Sequence, residues 1–395
     1  MLRKTGWNTL IPILVFGLSL QVIADSRWDK IKQKAEGQTV YFNVWGGDTA
    51  ANNYLRWVAT EMKQHYDVTV KRVPLSDTAD AVRRIQTEAA AGRQQKGSID
   101  LLWINGENFS ILKQARLLYG GWAERLPNWR YVDLSLSVKE DFSVPTEGAE
   151  SPWGSAQLTF IADRRRVPQP ITDPQALLAL ARTQPGQLSY PRPPDFTGTA
   201  FLEQLLLSLS PTPQVLKQPP DTKEFASVTA PLWRYLDQLH PLLWRQGKEF
   251  PATATRMDRM LADGELMLSL TFNPAHAASL ITRGQLPASV YTFGFSNGML
   301  GNVHFVTIPF NSSAKEGAQV LANFLLSPQA QIRKADPRHW GDPSVLDNRK
   351  LPPELQHEMN ARAPRAEMPV PMLSEPNAQW ITALEAEWLR RYGTR

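Results

Sequence analysis

Gly294-Phe295-Ser296-Asn297-Gly298 is a literal G-x-S-x-G, and Asp342 or Asp347 and then His357 follow it in the chain order an α/β-hydrolase uses. That chemistry needs a strand before the serine and a helix after it. Here Met299 to Pro309 continues as a strand pattern broken by Gly301, so the pentapeptide reads as a β-turn, and no residue is assigned a catalytic role. Asp48, Glu107 and Asp195 are acids in expected loops: a carboxylate pair for glycoside hydrolysis if the fold brings them to one cleft, caps or ligand contacts otherwise. The six histidines show no i, i+4 pair and no H-E-x-x-H, and there is no cysteine, so neither a metal nor a cofactor is expected. Trp45, Trp103 and Trp153 fall at or beside expected loops, where aromatic rings suit a flat, cationic or sugar-like ligand.

The elements that must position these residues begin with Val40 to Asp48, VYFNVWGGD. An unbroken apolar, β-favouring run gives way to Gly46-Gly47, and from Ala51 the apolar residues Tyr54, Leu55, Val58 and Met62 recur at helical spacing. Strand, tight loop, helix is the pattern, and it repeats twice: a strand over 67–73 with a helix near 79–89, and IDLLWI at 99–104 running into Asn105-Gly106-Glu107-Asn108 and a further helix. Three such units predict a parallel sheet of the α/β class, with both informative loops at the carboxyl ends of the strands, where ligands bind. Beyond a first crossing at Pro152-Trp153-Gly154, a strand is expected at 158–162 and a helix carrying Phe201, Leu202, Leu205, Leu206 and Leu209. Its start, Asp195-Phe196-Thr197-Gly198-Thr199, offers backbone N–H groups to an anion or to a capping side chain. Strands are expected at 265–272, 290–295 and 303–310, with a second crossing at Asn273-Pro274 and a last amphipathic helix through Trp380, Leu384 and Trp388.

Arg3 and Lys4 precede the apolar run Leu10 to Ile23, which ends at Ala24 before Asp25-Ser26-Arg27. This is the pattern of a cleaved signal peptide, so a periplasmic protein is expected, without a lipid on an N-terminal cysteine. The chain carries 43 basic and 38 acidic side chains, and removal of Arg3 and Lys4 leaves 41 − 38 = +3. With no basic block interleaved with aromatics, nucleic acid is excluded as a partner. Residues 1–24 are read as signal peptide, 25–150 with 275–330 as one lobe, and 151–274 with 331–395 as the other.

Taken together, WGGD, WINGENF (103–109), SPWGSAQLTF (151–160), YPRPPDFTGTAF (190–201) and IPFNSSAKEGAQVLANFLLSPQAQ (308–331) resemble the solute-binding proteins of ABC importers, and WINGENF and PPDFTGTAF are similar to the YnjB-type family, usually described as a thiamine-transport component. The resemblance implies the two-lobed periplasmic-binding-protein type 2 fold, each lobe a mostly parallel mixed sheet flanked by helices, with at least two crossings. It implies a monomer that captures a small polar solute between closing lobes and delivers it to an inner-membrane permease. The ligand-facing candidates it carries are Trp45, Gly46, Gly47, Asp48, Asn105, Glu107, Trp153, Asp195, Thr197 and Thr199, then Asn273 and Asn297. A thiamine-like cation would take an acid as counter-charge and a tryptophan as stacking partner; a polyamine or an oligosaccharide is the alternative solute. Thiamine-degrading enzymes of this fold attack through a cysteine, which this chain lacks.

Overall fold

Strand β1 (Thr39–Trp45) buries Val40, Phe42, Asn43 and Val44 and ends at the exposed Trp45. The computed structural model describes residues 27–47, 49–75, 77–362 and 370–393; the expected signal segment and Asp48 lie outside them. After β1 the chain turns through Gly46, where a Cβ would lie 2.8 Å from the Pro74 side chain, and enters α1 (Thr49–Tyr66), which buries Tyr54, Leu55, Val58 and Met62. β2 (Thr69–Leu75) pairs parallel with β1, with Thr39 opposite Thr69. α2 (Thr78–Ala90) starts on an Asp77 cap whose carboxylate accepts the Ala79 N–H. β3 (Leu101–Ile104) pairs parallel with β1 on its other side and leads directly into α3 (Glu107–Gln114). The three strand–helix units form as expected.

β4 (Glu150–Gln157) and β5 (Thr159–Asp163) follow, separated only by Leu158. β5 is the centre of a three-stranded sheet, with β6 (Leu268–Thr271) and β7 (Val290–Phe293) antiparallel on either side. β8 (Met299–Thr307) then returns to the first sheet, antiparallel to both β3 and β4, and its opening residues pair parallel with β9 (Met372–Ser374). Parallel pairing therefore dominates only around β1. An apolar run such as Leu158 to Ala162 reports burial on both faces, not strand direction, so the antiparallel second sheet leaves no mark in the sequence.

Two large apolar clusters divide the chain. The first takes Ala35 through Trp153, then Val303 through Met359; the second takes Leu158 through Leu300, then Trp380 through Tyr392. Segment 275–300, expected with the first lobe, packs with the second cluster or beside it, through Ala277, Leu280, Tyr291 and Phe293. Segment 331–359, expected with the second, packs in the first through Ile332, Trp340 and Leu351. Passage between the clusters occurs at Gln157-Leu158, at Leu300–Val303, and between Met359 and Trp380, not at Asn273-Pro274.

Glutamines fasten the crossing strands, one to another crossing segment and one to a helix. The Gln157 amide reaches the carbonyls of Met299, Val370 and Pro371 at 3.4, 3.3 and 3.1 Å. The Gln204 side chain accepts the Leu300 N–H at 2.6 Å. Gly301 is obligatory here, because a Cβ would stand 2.5 Å from the Met372 side chain and 2.9 Å from the Ala156 carbonyl.

Candidate functional site

The carboxyl ends of β1 and β3 present tryptophans. Trp45 is 45% exposed, and its ring stands edge-on to Trp103 with centroids 6.4 Å apart. Gly47 lies under that indole, where a Cβ would come within 2.4 Å of it. The half-buried Trp103 packs edge-on against Trp153 at 4.8 Å and His304 at 5.2 Å. Trp153, expected to face the ligand, is fully buried against Phe42 and Trp340, so it backs the wall.

Beyond β3, Asn105 is half-buried and Glu107 exposed at the start of α3. Gly106 has φ +60, and its N–H donates to Asp141 at 2.7 Å, while the Phe142 ring closes over its Cα. Opposite lies the start of α4 (Phe196–Leu209). Two of its free N–H groups are already answered: the Asp195 carboxylate accepts from Thr197 at 3.0 Å and Gly198 at 3.1 Å, the capping arrangement. Thr199 is buried and donates to Glu385 at 2.7 Å. The half-exposed Phe196 packs on Phe272 at 4.8 Å. Asn273 accepts the Ala275 N–H through its side chain, forming the turn that brings Ala275 to Gly341, where a Cβ on Gly341 would lie 3.2 Å away.

Asn297 is exposed in the turn closed by the Gly298 N–H to the Phe295 carbonyl, which joins β7 to β8. G-F-S-N-G is thus flanked by strands on both sides. Asp342 is bound to Lys334 and His304, Asp347 to Arg349, and His357 lies on the helix Pro353–Arg362, so no triad forms around Ser296. Among the described residues no three His, Asp or Glu side chains converge on a metal position.

What the sequence does not reveal is a chain of acids running between the lobes. A small cavity, lined by Asp141, Phe142, Asn302, Ser374, Glu375 and Lys217, which follows Leu216 of the second cluster, sits behind the Gly106 loop. Burial pushes the Asp141 carboxyl up to about 7. Burial, then Glu203, hold Glu375 well above the usual range, and burial, then Glu385, raise Glu203 to about 8. Glu385 is itself raised by burial and by Glu107. Asn302 donates to Glu375 at 3.0 Å, and its Oδ1 is buried without a partner among the described residues. These acids are scattered singly over more than two hundred positions, and no local pattern marks them.

Comparison with known proteins agrees with this architecture. Residues 56–363 match the model of the bacterial extracellular solute-binding protein family. Protein YnjB of Escherichia coli (strain K12) is 62% identical over 394 residues, spanning 100% of both chains. The TpPotD lipoprotein of Treponema pallidum superposes with a TM-score of 0.65 at 15% identity, covering 90% of this chain and 99% of its own. The periplasmic binding protein AfuA of Actinobacillus pleuropneumoniae, with fructose-6-phosphate bound, gives 0.60 at 14% identity, covering 91% and 99%. At such identities the solved structures speak for the two-lobed fold, and the family match and the full-length relative go further: the chain belongs to the bacterial extracellular solute-binding protein family, as a YnjB-like solute-binding component of an ABC transporter.

Proposed function

We propose that the solute is a small, flat, cationic molecule of the thiamine-like class, captured between the lobes with a ring against Trp45 and Trp103. The observation that carries this reading is the Trp45–Trp103 edge pair, with Trp45 exposed, standing at the same sheet edge as Glu107, whose charge acts on Glu385. An aromatic face and a carboxylate are the two features that recognise a ring bearing positive charge. Asp48, next in chain to Gly47, is the second proposed counter-charge. The occupied cap at Asp195 disfavours phosphate at Thr197 to Thr199, so the unphosphorylated form is preferred.

The lobes we propose follow the apolar clusters: 27–157 with 303–362, and 158–300 with 379–393. They close about the three crossings, as a monomer that binds without turning over its solute. Export would use residues 1–24 as a cleaved signal, and delivery would be to an inner-membrane permease. A polyamine is the second reading, favoured by the buried acids, since PotD of Streptococcus pneumoniae, described as a spermidine/putrescine substrate-binding protein, superposes with a TM-score of 0.62.

Native mass spectrometry of protein purified without refolding identifies a retained solute. Tryptophan emission and melting temperature are then read against thiamine, its phosphates, spermidine and a short oligosaccharide, since stabilisation by a bound solute grows to about 2.7 kcal/mol at a hundredfold excess over Kd. Glu107→Gln is expected to weaken thiamine by about 1.5–3 kcal/mol and a neutral sugar by far less. Equal thiamine affinity in wild type and variant removes the counter-charge reading; response to spermidine alone selects the polyamine.

A further inference from the structure

Behind Trp103 lies a polar network that solute recognition as described above does not use. Lys334, near the end of α5 (Pro328–Ala335), is completely buried, and its ammonium is fully satisfied by the Asp342 side chain, the Asp342 carbonyl at 3.1 Å and the Pro343 carbonyl at 2.7 Å. Asp342 uses its second oxygen to bind His304 Nε2 at 3.1 Å. His304 in turn abuts the Trp103 ring, and Trp340 packs against both Trp103 (6.1 Å) and Trp153 (5.5 Å). All three polar groups converge on Gly154, where a Cβ would lie 2.3 Å from Asp342, 2.8 Å from His304 and 3.0 Å from Lys334. The loop from Trp340 to Asp342 also carries Gly341, the point of contact with Ala275 of the other lobe.

We propose that His304 is a positioning residue for solute binding: clamped by the buried Lys334–Asp342 pair, it fixes the ring angle of Trp103 and hence the shape of the wall that Trp103 and Trp45 offer. This rests on the wall reading given above. An imidazole with one nitrogen held by a carboxylate cannot rotate freely, so the indole edge resting on it is restricted as well. Both anchors of the clamp are charged and enclosed, and relaxation toward another rotamer would strip Asp342 of one of its two partners. The same loop that holds Asp342 meets the second lobe at Gly341, so wall angle and lobe contact share one support.

The test has a readout independent of any solute. Near-ultraviolet circular dichroism of the solute-free protein reports coupling among closely packed indoles. His304→Ala is expected to change that spectrum and to increase acrylamide quenching, with both changes absent in a Trp103→Phe background. His304→Gln, whose amide can still donate to Asp342, should restore the spectrum. With thiamine as probe, His304→Ala should bind about tenfold more weakly and His304→Gln within about twofold of wild type. An unchanged spectrum in His304→Ala overturns the proposal, and so does a change that survives in Trp103→Phe or is not rescued by glutamine. Should thiamine fail to bind wild type, the solute assignment falls while the spectra still decide the role of His304.

Discussion

The molecule buries charge in two ways, and the contrast separates its scaffold from its responsive part. Beneath the tryptophan wall, Lys334, Asp342 and His304 satisfy each other; burial alone would push Asp342 up, but Lys334 and His304 outweigh it and hold the carboxyl below its usual range. Along the lobe junction, Asp141, Glu150, Glu203 and Glu375 are equally enclosed and have no cationic partner close enough to offset burial, so they are held in the protonated direction. Glu150 has both carboxyl oxygens unpartnered among the described residues. A paired buried charge fixes geometry, because removing one partner strands the other. An unpaired buried carboxyl answers instead to whatever changes its hydration or supplies a cation, including opening of the cleft.

The largest effect should come from breaking the pair. Lys334→Met removes the ammonium and leaves Asp342 buried beside His304 alone, with an expected loss of about 3–5 kcal/mol in urea unfolding. Lys334→Met combined with Asp342→Leu should recover much of that loss, since an apolar pair of similar volume carries no stranded charge. A single variant within about 1 kcal/mol of wild type, against the estimate for a broken buried pair, would mean that the network is not what orders this region.

An intermediate effect is expected from pH at the junction. Asp141 and Glu203 titrate near 7 and 8 in the folded chain, above the usual carboxylate range, so between about pH 4 and pH 8 the folded state binds more protons than the unfolded one. Stability should therefore be greatest near the acid end of that window and fall as pH rises through it. Glu387, held down to about 2 by Arg390 and Arg391, acts in the opposite sense and only in more acid solution. Asp141→Asn with Glu203→Gln should flatten the slope of urea midpoints measured at pH 5, 7 and 8.5. A slope as steep in the double variant as in wild type would place the proton uptake elsewhere.

What the sequence exposes follows this same division. The strand–turn–helix units around Trp45 and Asn105 were legible because burial on both faces and helical spacing are local patterns. Of the site candidates, the structure brings Trp45, Gly47, Asn105 and Glu107 to one sheet edge, while Trp153 is enclosed and Asp195 is occupied as a cap. Lys334, His304 and the junction acids were invisible, because each looks like an ordinary surface residue until long-range pairing encloses it. The apolar clusters divide the chain elsewhere than the expected lobe limits for a related reason: Val303 to Phe310 reads as a strand wherever it belongs, and only its ladder with β4 shows that β8 passes between the clusters.

The smallest effect is expected at Ser296, which belongs to neither buried system and sets the zero of the comparison. Its side chain is exposed in the β7–β8 turn, its backbone N–H donates to the Thr172 carbonyl, and that bond survives any side-chain replacement. A serine nucleophile needs a base within hydrogen-bond reach and an oxyanion site at a helix start. The residue after Gly298 begins a strand, and the acid and base candidates are held elsewhere. Ser296→Ala should change the free energy of urea unfolding by no more than about 0.5 kcal/mol, as for an exposed site without special contacts, and leave thiamine binding unaltered. A serine-reactive phosphonate should leave the wild-type chain unlabelled. Stoichiometric labelling at Ser296, lost when His357 is replaced, would reveal a catalytic arrangement reached in another conformation and would put hydrolysis in place of simple capture.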